Sequence, residues 1–410
     1  MIRYLTAGES HGKALVGILE GMPAGVEIST EYINLQLWRR QQGYGRGGRM
    51  KIESDKVEIL SGVRFGKTLG SPIALMIQNK DWQNWTERMS TSSDGAGIEK
   101  ITIPRPGHAD YSGAVKYGFD DLRNVIDRAS ARETAMRVAL CTIVRKFLEE
   151  NGIFIGSHVL RIGSAAINNR TKIDQWITQF IEQSPSGAYQ VSQEADHSGV
   201  RMLDRLAEAK AIAQIKKVKK AGDTLGGIFE VIVTGVPIGL GSYVQYDRKL
   251  DAQLAQALMS IQAIKGVEVG DGFSNATKLG SRVHDEFSLK SKSGEGGSIP
   301  HRQDAREDNS FAAQIHRKTN RAGGLEGSIT NGEMIIVRAA MKPIATLARP
   351  LKAIDLATNK LVESRYERSD VCAVPAASVI GEAVVAPVLA NAFLEKFGGD
   401  SLREITERCK

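Results

Sequence analysis

The chain has 410 residues, 42% of them hydrophobic and 25% charged, a composition that can bury a substantial core. No apolar run reaches the roughly 18 residues that span a bilayer, and the first residues lack the apolar core of a secretory signal. Cys141, Cys372 and Cys409 are scattered and form no CxxC pair, so neither a disulfide framework nor a zinc site is predicted. A cytoplasmic protein is expected, and the net charge of +7 favours anionic partners.

Periodicity and turn signals predict strands and helices along the whole chain. In chain order they are a strand at Ile2–Ala7, a helix at Thr30–Gln42, strands at Lys56–Val63 and Ile73–Gln78, a helix at Asp121–Asn151, a strand at Gly226–Thr234, two strands within Gly323–Arg338 around the turn Asn331–Gly332, and a helix at Ala376–Phe397 interrupted at Pro387. No Pro-rich linker or internal repeat divides the chain, which predicts one large mixed α/β domain over residues 1–410. Polar segments 89–100 and 288–309 are expected to be mobile loops, and a tolerated surface insertion is the simpler interpretation of the second.

The most informative segment is the glycine-rich stretch at residues 41–55, which follows the pair Arg39–Arg40. Arg46 and Arg49 lie there among four glycines. Glycine lets the backbone approach a ligand closely, and guanidinium groups form paired hydrogen bonds with phosphate and carboxylate. The segment therefore predicts a partner with several negative charges, either a nucleic acid or a small, highly anionic metabolite.

Two histidines lie in glycine-containing loops, where a side chain can face a ligand. His11 follows the first predicted strand in the motif GESHG, and His108 lies two residues before Asp110 in the motif PRPGHAD. Histidine titrates near neutral pH, which suits it to protonate an anionic leaving group. Taken alone, each histidine is more simply a loop residue with a structural hydrogen bond or part of a rigid surface turn.

Three further segments carry charges suited to an anion. Arg128 and Arg132 are four residues apart within a predicted helix and so share a face, which repels unless an anion or carboxylate lies between them. The segment Lys342–Thr346 follows the glycines of residues 323–327 and could hold a phosphate or a flavin edge. The segment Arg368–Asp370 places a carboxylate beside a cation. The simpler interpretations are a solvated helix face and a local ion pair.

Other motifs give no competing site. The remaining histidines have neither HxxxH spacing nor paired carboxylates in a ligand-like register, which predicts structural or surface roles and no metal. They are His158, His197, His284, His301 and His316. The glycines of GYGRGG follow a helix rather than a strand, so a dinucleotide-binding fold is not supported, and no P-loop motif is present.

Taken together and in this order, the motifs resemble those of the chorismate synthase family. The resemblance rests on GESHG, RRQQGYGRGGRMKIESDKVEILSGVRFGKTLGSPIAL, PRPGHADYSGAVKYG, DRASARETAMRVA, IKGVEVGDGF, NRAGGLEGSITNGE, KPIATL and RSDVCAVPA. It extends from Met1 to about Phe397, and each long motif is specific without the others. Ser328, where a glycine is common in the family, and the variable segment 288–309 are modest departures.

The resemblance implies a carbon–oxygen lyase of the shikimate pathway, which serves aromatic amino acid biosynthesis. The family converts 5-enolpyruvylshikimate 3-phosphate to chorismate and inorganic phosphate by a 1,4-anti elimination. The reaction needs reduced FMN although it causes no net redox change, and the flavin is thought to lend electron density and then recover it. The substrate carries about four negative charges, which arginines would offset.

The resemblance also assigns roles to residues at matching motif positions. His11 would protonate the leaving phosphate, His108 would protonate the reduced flavin or stabilise its anion, and Asp370 would deprotonate flavin N5. Ser10 and Ser130 would relay protons or hold the geometry of flavin and substrate. The residues implied to contact the flavin are Arg128, Ala129, Ser130, Gln262, Ala263, Gly327, Lys342, Pro343, Ile344, Ala345, Thr346 and Arg368. Those implied to surround the substrate are Arg40, Arg46, Arg49, Arg132 and Arg368, with Arg40 and Arg46 also where the family is proposed to place NADPH.

The family fold implies an α+β architecture in which a helical layer is sandwiched between two antiparallel β-sheets. The resemblance further implies a homotetramer, noncovalent FMN, NADPH as a possible reductant, and no nucleic-acid or membrane partner. Two alternatives remain open to test. A nucleic-acid-binding protein, suggested by the RGG-like GYGRGGR, would bind single-stranded RNA with a steep salt dependence. A conventional flavin oxidoreductase would change the oxidation state of its substrate.

Overall fold

The computed structural model describes residues 1–47, 54–92, 95, 97–184, 186–289, 315–367 and 369–409. The helices are α1 (Thr30–Gln41), α2 (Asp110–Tyr117), α3 (Arg123–Ile126), α4 (Thr134–Glu150), α5 (Arg170–Gln183), α6 (Gly187–Asp196), α7 (Arg205–Lys220), α8 (Leu250–Met259), α9 (Val374–Phe397) and α10 (Leu402–Arg408). The strands are β1 (Arg3–Ala7), β2 (Ala14–Glu20), β3 (Val57–Ser61), β4 (Val63–Arg64), β5 (Lys67–Thr68), β6 (Ile73–Gln78), β7 (Phe154–Ile162), β8 (Ala165–Ala166), β9 (Gly227–Thr234), β10 (Ile264–Val269), β11 (Phe287–Leu289), β12 (Ile315–Arg317), β13 (Leu325–Glu326), β14 (Ile329–Thr330), β15 (Ile335–Met341), β16 (Lys352–Asp355) and β17 (Lys360–Glu363). Most of the predicted loop 288–309 lies outside the described residues, so its mobility stays a prediction.

The first sheet pairs four antiparallel strands in the order β1-β2-β6-β3. Successive side chains of a strand point to opposite faces, so each strand alternates between core and exterior. Leu15 and Leu19 of β2 and Leu75 of β6 are buried on the inner face. Val16 and Ile18 of β2 lie on the outer face and are exposed. This sheet therefore keeps apolar side chains on a face that the described residues leave exposed.

The second sheet is also antiparallel and has the order β10-β15-β9-β7-β8. The last six residues of its central strand, β9, are all buried, as expected where both faces of a sheet are covered. Phe229 and Val231 belong to the main core on one face. On the other face Ile232 packs with Ile177 of α5 and Val191 of α6.

Helices α1, α4 and α9 pack on one another and together contact both sheets. Helix α4 contacts β2 and β6 of the first sheet and β7 of the second, and α9 contacts β7 and β9. Two glycines allow a helix and a strand to approach each other closely. A Cβ at Gly17 of β2 would lie 2.7 Å from Cγ of Met136, and a Cβ at Gly381 of α9 would lie 2.7 Å from Cε2 of Phe229. Because interiors are close-packed, either added side chain would push these layers apart.

The single helix predicted over Asp121–Asn151 is wrong. The segment divides into α3, a 3₁₀ turn at Ala131–Glu133, and α4. Ser130 has an extended backbone, and its Oγ accepts a hydrogen bond from the backbone N–H of Arg132 at 3.3 Å. A serine that satisfies a neighbouring N–H in this way competes with helical hydrogen bonding, which explains the break. Arg128 and Arg132 therefore do not share a helix face.

The turn predicted at Asn331–Gly332 lies between β14 and β15, but these two strands do not pair with each other among the described residues. The hairpin of this segment joins β13 to β14 through Gly327 and Ser328, which have φ of 56° and 68°. Positive φ at both central residues is the type I′ geometry that matches the twist of paired strands. Serine rarely adopts this region, and here its Oγ donates to Oδ2 of Asp251 at 3.0 Å. That hydrogen bond helps to hold the turn.

Helix α9 runs through Pro387 without interruption, contrary to the prediction. Proline inside a helix costs about 3 kcal/mol, but most of α9 is buried and tertiary packing outweighs this cost. The helix is also long and apolar enough to cross a membrane, which was not expected from the sequence. Since 83% of the most apolar stretch of this helix is buried inside the fold, α9 is the central helix of the core.

A buried ion cluster joins α9 to its neighbours. Glu382 is 1% exposed and accepts hydrogen bonds from Arg39 of α1, Arg145 of α4 and Arg201, at 2.7, 2.7 and 3.2 Å. Burial raises the pKa of Glu382, but the guanidinium groups outweigh burial and hold that pKa well below its ordinary value. Loss of one member would leave buried charges uncompensated.

Replacing Glu382 by glutamine is therefore expected to lower the free energy of unfolding by about 3–5 kcal/mol at neutral pH. Because folding lowers the pKa of Glu382 from its ordinary value of 4.5, its stabilisation is present above that value and is lost as the pH falls below it. Urea titrations at several pH values should show a steeper acid loss of stability in the wild type than in Glu382→Gln. Glu407→Gln, which removes an exposed pair with Arg403, is the matched control. A Glu382→Gln variant as stable as the wild type would contradict the prediction.

Candidate active site

His11 lies in the loop that follows β1, and Asn79 shapes this loop. Nδ2 of Asn79 donates to the backbone carbonyls of Glu9 and Gly12, at 3.1 and 2.8 Å. The neighbouring Ser10 is buried, and Oγ of Ser130 donates to its Oγ at 3.2 Å. The two serines and the histidine predicted from the sequence therefore lie in one place.

Asp127 and Trp85 contact the imidazole of His11. Its Nδ1 lies 2.5 Å from Oδ1 of Asp127, a carboxylate buried at the end of α3. Its ring stacks on Trp85, with the ring centroids 3.9 Å apart and the planes 28° from parallel. A carboxylate on Nδ1 leaves Nε2 as the nitrogen that would deliver a proton to a ligand.

Arg40 lies at the last turn of α1 and is buried. Its Nε and Nη2 donate to Oγ1 of Thr134 at 2.9 and 2.8 Å, and Nη2 also donates to the carbonyl of Ala131 at 2.9 Å. Nη1 makes no hydrogen bond within the described residues and lies 3.7 Å from Oδ2 of Asp55. Asp55 in turn accepts a hydrogen bond from Nη1 of Arg132 at 2.5 Å. Arg40 and Arg132, which the resemblance assigns to the substrate, thus both lie beside the buried carboxylate of Asp55.

The surroundings of Arg40 disfavour its charge. Burial lowers the pKa of Arg40 to about 10, with Arg46 and Arg132 acting in the same direction and Asp55 and Asp370 opposing them. A buried guanidinium beside like charges is stabilised by an anion that binds against it. This part of the structure is therefore suited to an anionic ligand.

Arg46 and Asp370 are far apart in the sequence but form an ion pair in the structure. Nη1 of Arg46 lies 3.2 Å from Oδ2 of Asp370, whose Oδ1 accepts a hydrogen bond from the backbone N–H of Gly47 at 2.6 Å. The carbonyl of Gly45 accepts a hydrogen bond from the N–H of Val371 at 2.8 Å. The glycine-rich loop is thus joined to the segment before α9. Arg49 and Arg368 lie outside the described residues.

His108 forms the second histidine–carboxylate pair, with Nδ1 2.5 Å from Oδ1 of Asp110. Asp110 also accepts hydrogen bonds from Nε and Nη2 of Arg105, at 2.8 and 3.1 Å. Burial raises the pKa of Asp110, but the hydrogen bonds from His108 and Arg105 outweigh it and hold that pKa well below its usual range. Arg105 reaches further and donates to Oγ1 of Thr346 at 3.0 Å.

The segment Lys342–Thr346 lies against this pair. Nζ of Lys342 donates to the carbonyl of Gly107 at 2.6 Å, and a Cβ on Gly107 would come within 3.8 Å of Cβ of Ala345. The carbonyl of Ile344 accepts a hydrogen bond from Oγ1 of Thr224 at 2.8 Å. Pro343 is exposed beside them. Glycine at position 107, with φ of 78°, allows this turn to approach the lysine.

Gln262 and Ala263 follow α8 in the chain and contact the same region. The backbone N–H of Lys342 donates to the carbonyl of Ala263 at 2.9 Å, and Ala263 has φ of 67°. Nε2 of Gln262 donates to Oε2 of Glu133 at 3.4 Å, while its Oε1 is buried and has no hydrogen-bond partner among the described residues. The unsatisfied amide oxygen is an acceptor available to a ligand.

Arg128 contacts the segment that leads to Ser10 and His11, whereas Gly327 lies by the start of α8. Arg128 is exposed and donates to the carbonyls of Thr6 and Gly8 at 2.8 and 3.1 Å, with Ala129 buried partly beside it. Gly327 is at the tip of a hairpin fastened to the start of α8, whose ten residues span about 15 Å. Gly327 is therefore about one helix length from Gln262.

Three residues at the centre of the site had no assigned role from the sequence: Asp55, Asn79 and Asp127. Asp127 lies in the motif DRASAR and Asp55 ends the segment GRGGRMKIESD, so both were within the motifs that carry the resemblance. Asn79 follows β6 and lies outside them; Nε of Arg132 donates to its Oδ1 at 3.0 Å. Motif position alone does not reveal such partners, because they come from distant parts of the chain.

Comparison with known proteins gives full-length similarity. The model of the family described as chorismate synthase matches residues 2–394. The chain is 58% identical over 409 residues to the chorismate synthase of Chlorobium phaeovibrioides and 57% identical to that of Chlorobaculum tepidum, covering 100% of this chain and 96% of each relative. It is 42% identical to a crystal structure of chorismate synthase, with a TM-score of 0.73 and coverage of 99% of this chain and 96% of that one.

Buried arginines and two histidine–carboxylate pairs, in a mixed helix-and-sheet fold, are side chains of the kind that an enzyme site uses. The full-length similarity makes the class more specific. The chain belongs to the chorismate synthase family and is accordingly a lyase of the shikimate pathway.

Proposed function

We propose that this chain converts 5-enolpyruvylshikimate 3-phosphate to chorismate by 1,4-anti elimination of phosphate, with reduced FMN as its cofactor. The observation that carries the proposal is the buried guanidinium of Arg40. Its Nη1 makes no hydrogen bond within the described residues, and burial lowers its pKa to about 10. A phosphate or carboxylate against Nη1 would satisfy the donor and stabilise the charge.

The substrate-binding arginines of the proposal are Arg40, Arg46 and Arg132, with Arg49 and Arg368 added by family resemblance. The substrate bears a phosphate and two carboxylates, so several guanidinium groups are needed to offset its charge. Asp55 keeps Arg40 and Arg132 near each other before the substrate binds. Preorganised charges of this kind lower the cost of binding and of charge movement during the reaction.

His11 is proposed to protonate the departing phosphate, because a protonated phosphate is the better leaving group. Ser10 and Ser130, hydrogen-bonded to each other beside it, would hold or relay that proton. Asp370 is proposed to accept the proton that leaves the substrate ring, and His108 to hold a proton beside the bound flavin. Asp370 lies against the glycine-rich loop, and His108 follows Gly107, whose carbonyl Lys342 contacts.

The described residues fit a noncovalent flavin. The unsatisfied Oε1 of Gln262 suits a ring N–H of the isoalloxazine, and Lys342 and Arg128 supply cations for its phosphate. We assign flavin binding to residues 128–130, 262–263 and 342–346, with Gly327 and Arg368 by resemblance. Reduced FMN, when bound, supplies transient electron density to the substrate with no net redox change. NADPH as its reductant, near Arg40 and Arg46, is part of the proposal.

An anaerobic assay tests this function. The chain is mixed with chemically reduced FMN and the enolpyruvyl substrate, and chorismate and phosphate are measured. Equal amounts of both are expected, with none when the flavin stays oxidised. Absence of phosphate release with reduced flavin would refute the proposal, and a net change in substrate oxidation state would favour an oxidoreductase. A repeat with NADPH and oxidised FMN tests the reductase activity, and single-stranded RNA at several salt concentrations tests the nucleic-acid alternative.

We also propose the family architecture, a helical layer between two antiparallel sheets, assembled as a homotetramer in the cytoplasm. The outer face of the first sheet supports the assembly. Leu5 pairs across strands with Ile18, and these side chains are 74% and 46% exposed, next to Val16. A contiguous apolar sheet face that the chain leaves uncovered is typical of an interface between copies.

The double variant Val16→Asp, Ile18→Asp is expected to reduce the assembly to smaller species, because it places two carboxylates on this face without altering the buried side of β2. Sedimentation velocity at several protein concentrations measures the outcome. Leu361→Asp changes an exposed leucine of β17 and is the control that should keep the wild-type mass. An unchanged assembly in the double variant would remove this face from the interface.

A further inference from the structure

Two side chains hold His11 and have no assigned part in the reaction. Asp127 lies 2.5 Å from Nδ1, and Trp85 stacks on the imidazole with 3.9 Å between ring centroids. The backbone N–H of Ser10 also donates to the carbonyl of Asp127 at 3.0 Å. The loop that carries His11 is thus fastened to the end of α3 by its main chain and by its side chain.

We propose that Asp127 and Trp85 are the positioning residues of His11, Asp127 by fixing which ring nitrogen faces the ligand and Trp85 by fixing the plane of the ring. The inference rests on the proposed function, in which His11 is the proton donor. Neither residue contacts the reacting atoms in this scheme. Both act through the imidazole, as an orienting carboxylate acts on a catalytic histidine in general.

The environment of Asp127 suits this task. Its side chain is 0% exposed, and its Oδ2 makes no hydrogen bond within the described residues. Its nearest cation is Nη1 of Arg123, 3.9 Å from Oδ2. Asp110, in contrast, divides its oxygens between His108 and Arg105. The carboxylate of Asp127 therefore contacts His11 closely and a guanidinium only at 3.9 Å, whereas Asp110 accepts hydrogen bonds from a guanidinium.

Trp85 is itself held by neighbouring side chains. Its indole Nε1–H donates to Oδ2 of Asp81 at 3.0 Å, and the guanidinium of Arg123 lies 4.9 Å from its ring centroid. Arg123 thus contacts both positioning residues, because it also pairs with Asp127. An indole fixed in this way gives the imidazole a flat surface and restricts rotation about its side-chain bonds.

The variant Asp127→Asn is close in size and removes the charge that orients Nδ1–H. We expect kcat to fall by about 100-fold or more with KM changed by less than about threefold. Asp127→Glu should recover part of the loss. In protein labelled with ¹⁵N-histidine, the His11 resonances, assigned by their absence in His11→Gln, should report a protonated Nδ1 in the wild type and a changed tautomer in Asp127→Asn. Asp174→Asn, on α5, is the matched control with wild-type kcat.

The stacking contact is tested by two further variants. Trp85→Phe keeps an aromatic surface and should stay within about threefold of the wild-type kcat, whereas Trp85→Ala should lose about tenfold. Trp82→Ala, in the 3₁₀ turn Lys80–Asn84 that precedes Trp85, is the control expected to retain activity. Equal kcat in Trp85→Ala and the wild type would overturn the part of the proposal that concerns Trp85.

The outcomes separate this inference from the proposed function. An active His11→Gln variant would refute the proton-donor role itself. An inactive His11→Gln with a fully active Asp127→Asn would overturn only the positioning role of Asp127. If Asp127→Asn fails to fold, the wild-type spectrum decides, because a His11 whose Nδ1 carries no proton is incompatible with the proposal.

Discussion

Replacing His11 by alanine is expected to lower kcat by about 10²–10⁴-fold, the usual contribution of a general acid. Substrate affinity should change by less than about threefold, because the arginines and not the imidazole hold the charges of the substrate. Anaerobic turnover with reduced FMN gives kcat, and calorimetric titration of the substrate gives the dissociation constant. A similar separation of turnover from binding is expected for His108→Ala.

His197 provides the control for both histidine variants. It is exposed and pairs with Glu194 on α6, so His197→Ala should have wild-type turnover and binding. Unchanged turnover in both His11→Ala and His108→Ala would discard the proposed proton roles. A fall in affinity as large as the fall in kcat would instead make the two histidines binding residues.

The second large effect is expected for Arg40→Met, which should weaken substrate binding by about 30-fold or more. The methionine fills similar space but removes the donor at Nη1 that a phosphate or carboxylate would use. Without ligand the charge of Arg40 opposes folding, because burial lowers its pKa to about 10 from 12.5. The unfolding free energy of the ligand-free variant should therefore stay within about 1 kcal/mol of the wild type.

Calorimetric titration and urea unfolding of the same preparations test these two statements. Arg403→Met, on the exposed face of α10, is the control that should alter neither quantity. Loss of stability without loss of binding would assign Arg40 to the scaffold and would leave the proposed substrate site without its central residue.

Part of the fold was predictable from local patterns. The predicted helix Thr30–Gln42 is confirmed as α1, Thr30–Gln41, whose start is fixed by Oγ of Ser29 accepting from the N–H of Tyr32 at 3.2 Å. Strand β6 has its predicted bounds. Strand β2 was missed because apolar residues occupy both of its faces, so no alternation marks it in the sequence. The break at Ser130 was missed because a side-chain hydrogen bond, and not a loss of periodicity, ends the helix.

The residues of the candidate site could be predicted from the sequence, but the contacts between them could not. The motifs contained His11, His108, Arg40 and Asp370, and the family resemblance supplied roles for them. The partners Asp127 and Asp55, and the hydrogen bond from Gly47 to Asp370, depend on segments brought together from distant positions. Sequence spacing carries no information about such pairs, because only the packed layers set their distances. The roles themselves stay predictions until the variants are measured.

The position of α9 in the chain has a consequence for biosynthesis. The helix lies at the centre of the core, and Asp370, just before it, binds Gly47 across 323 residues. Both sheets are made before α9 leaves the ribosome, at about 5–20 residues per second. Strand β9, which α9 contacts, ends at Thr234, 140 residues before α9 begins at Val374, so its inner face waits roughly 7–28 s for the helix. Contacts so distant in sequence also form slowly, so the nascent chain should depend on chaperones during that interval.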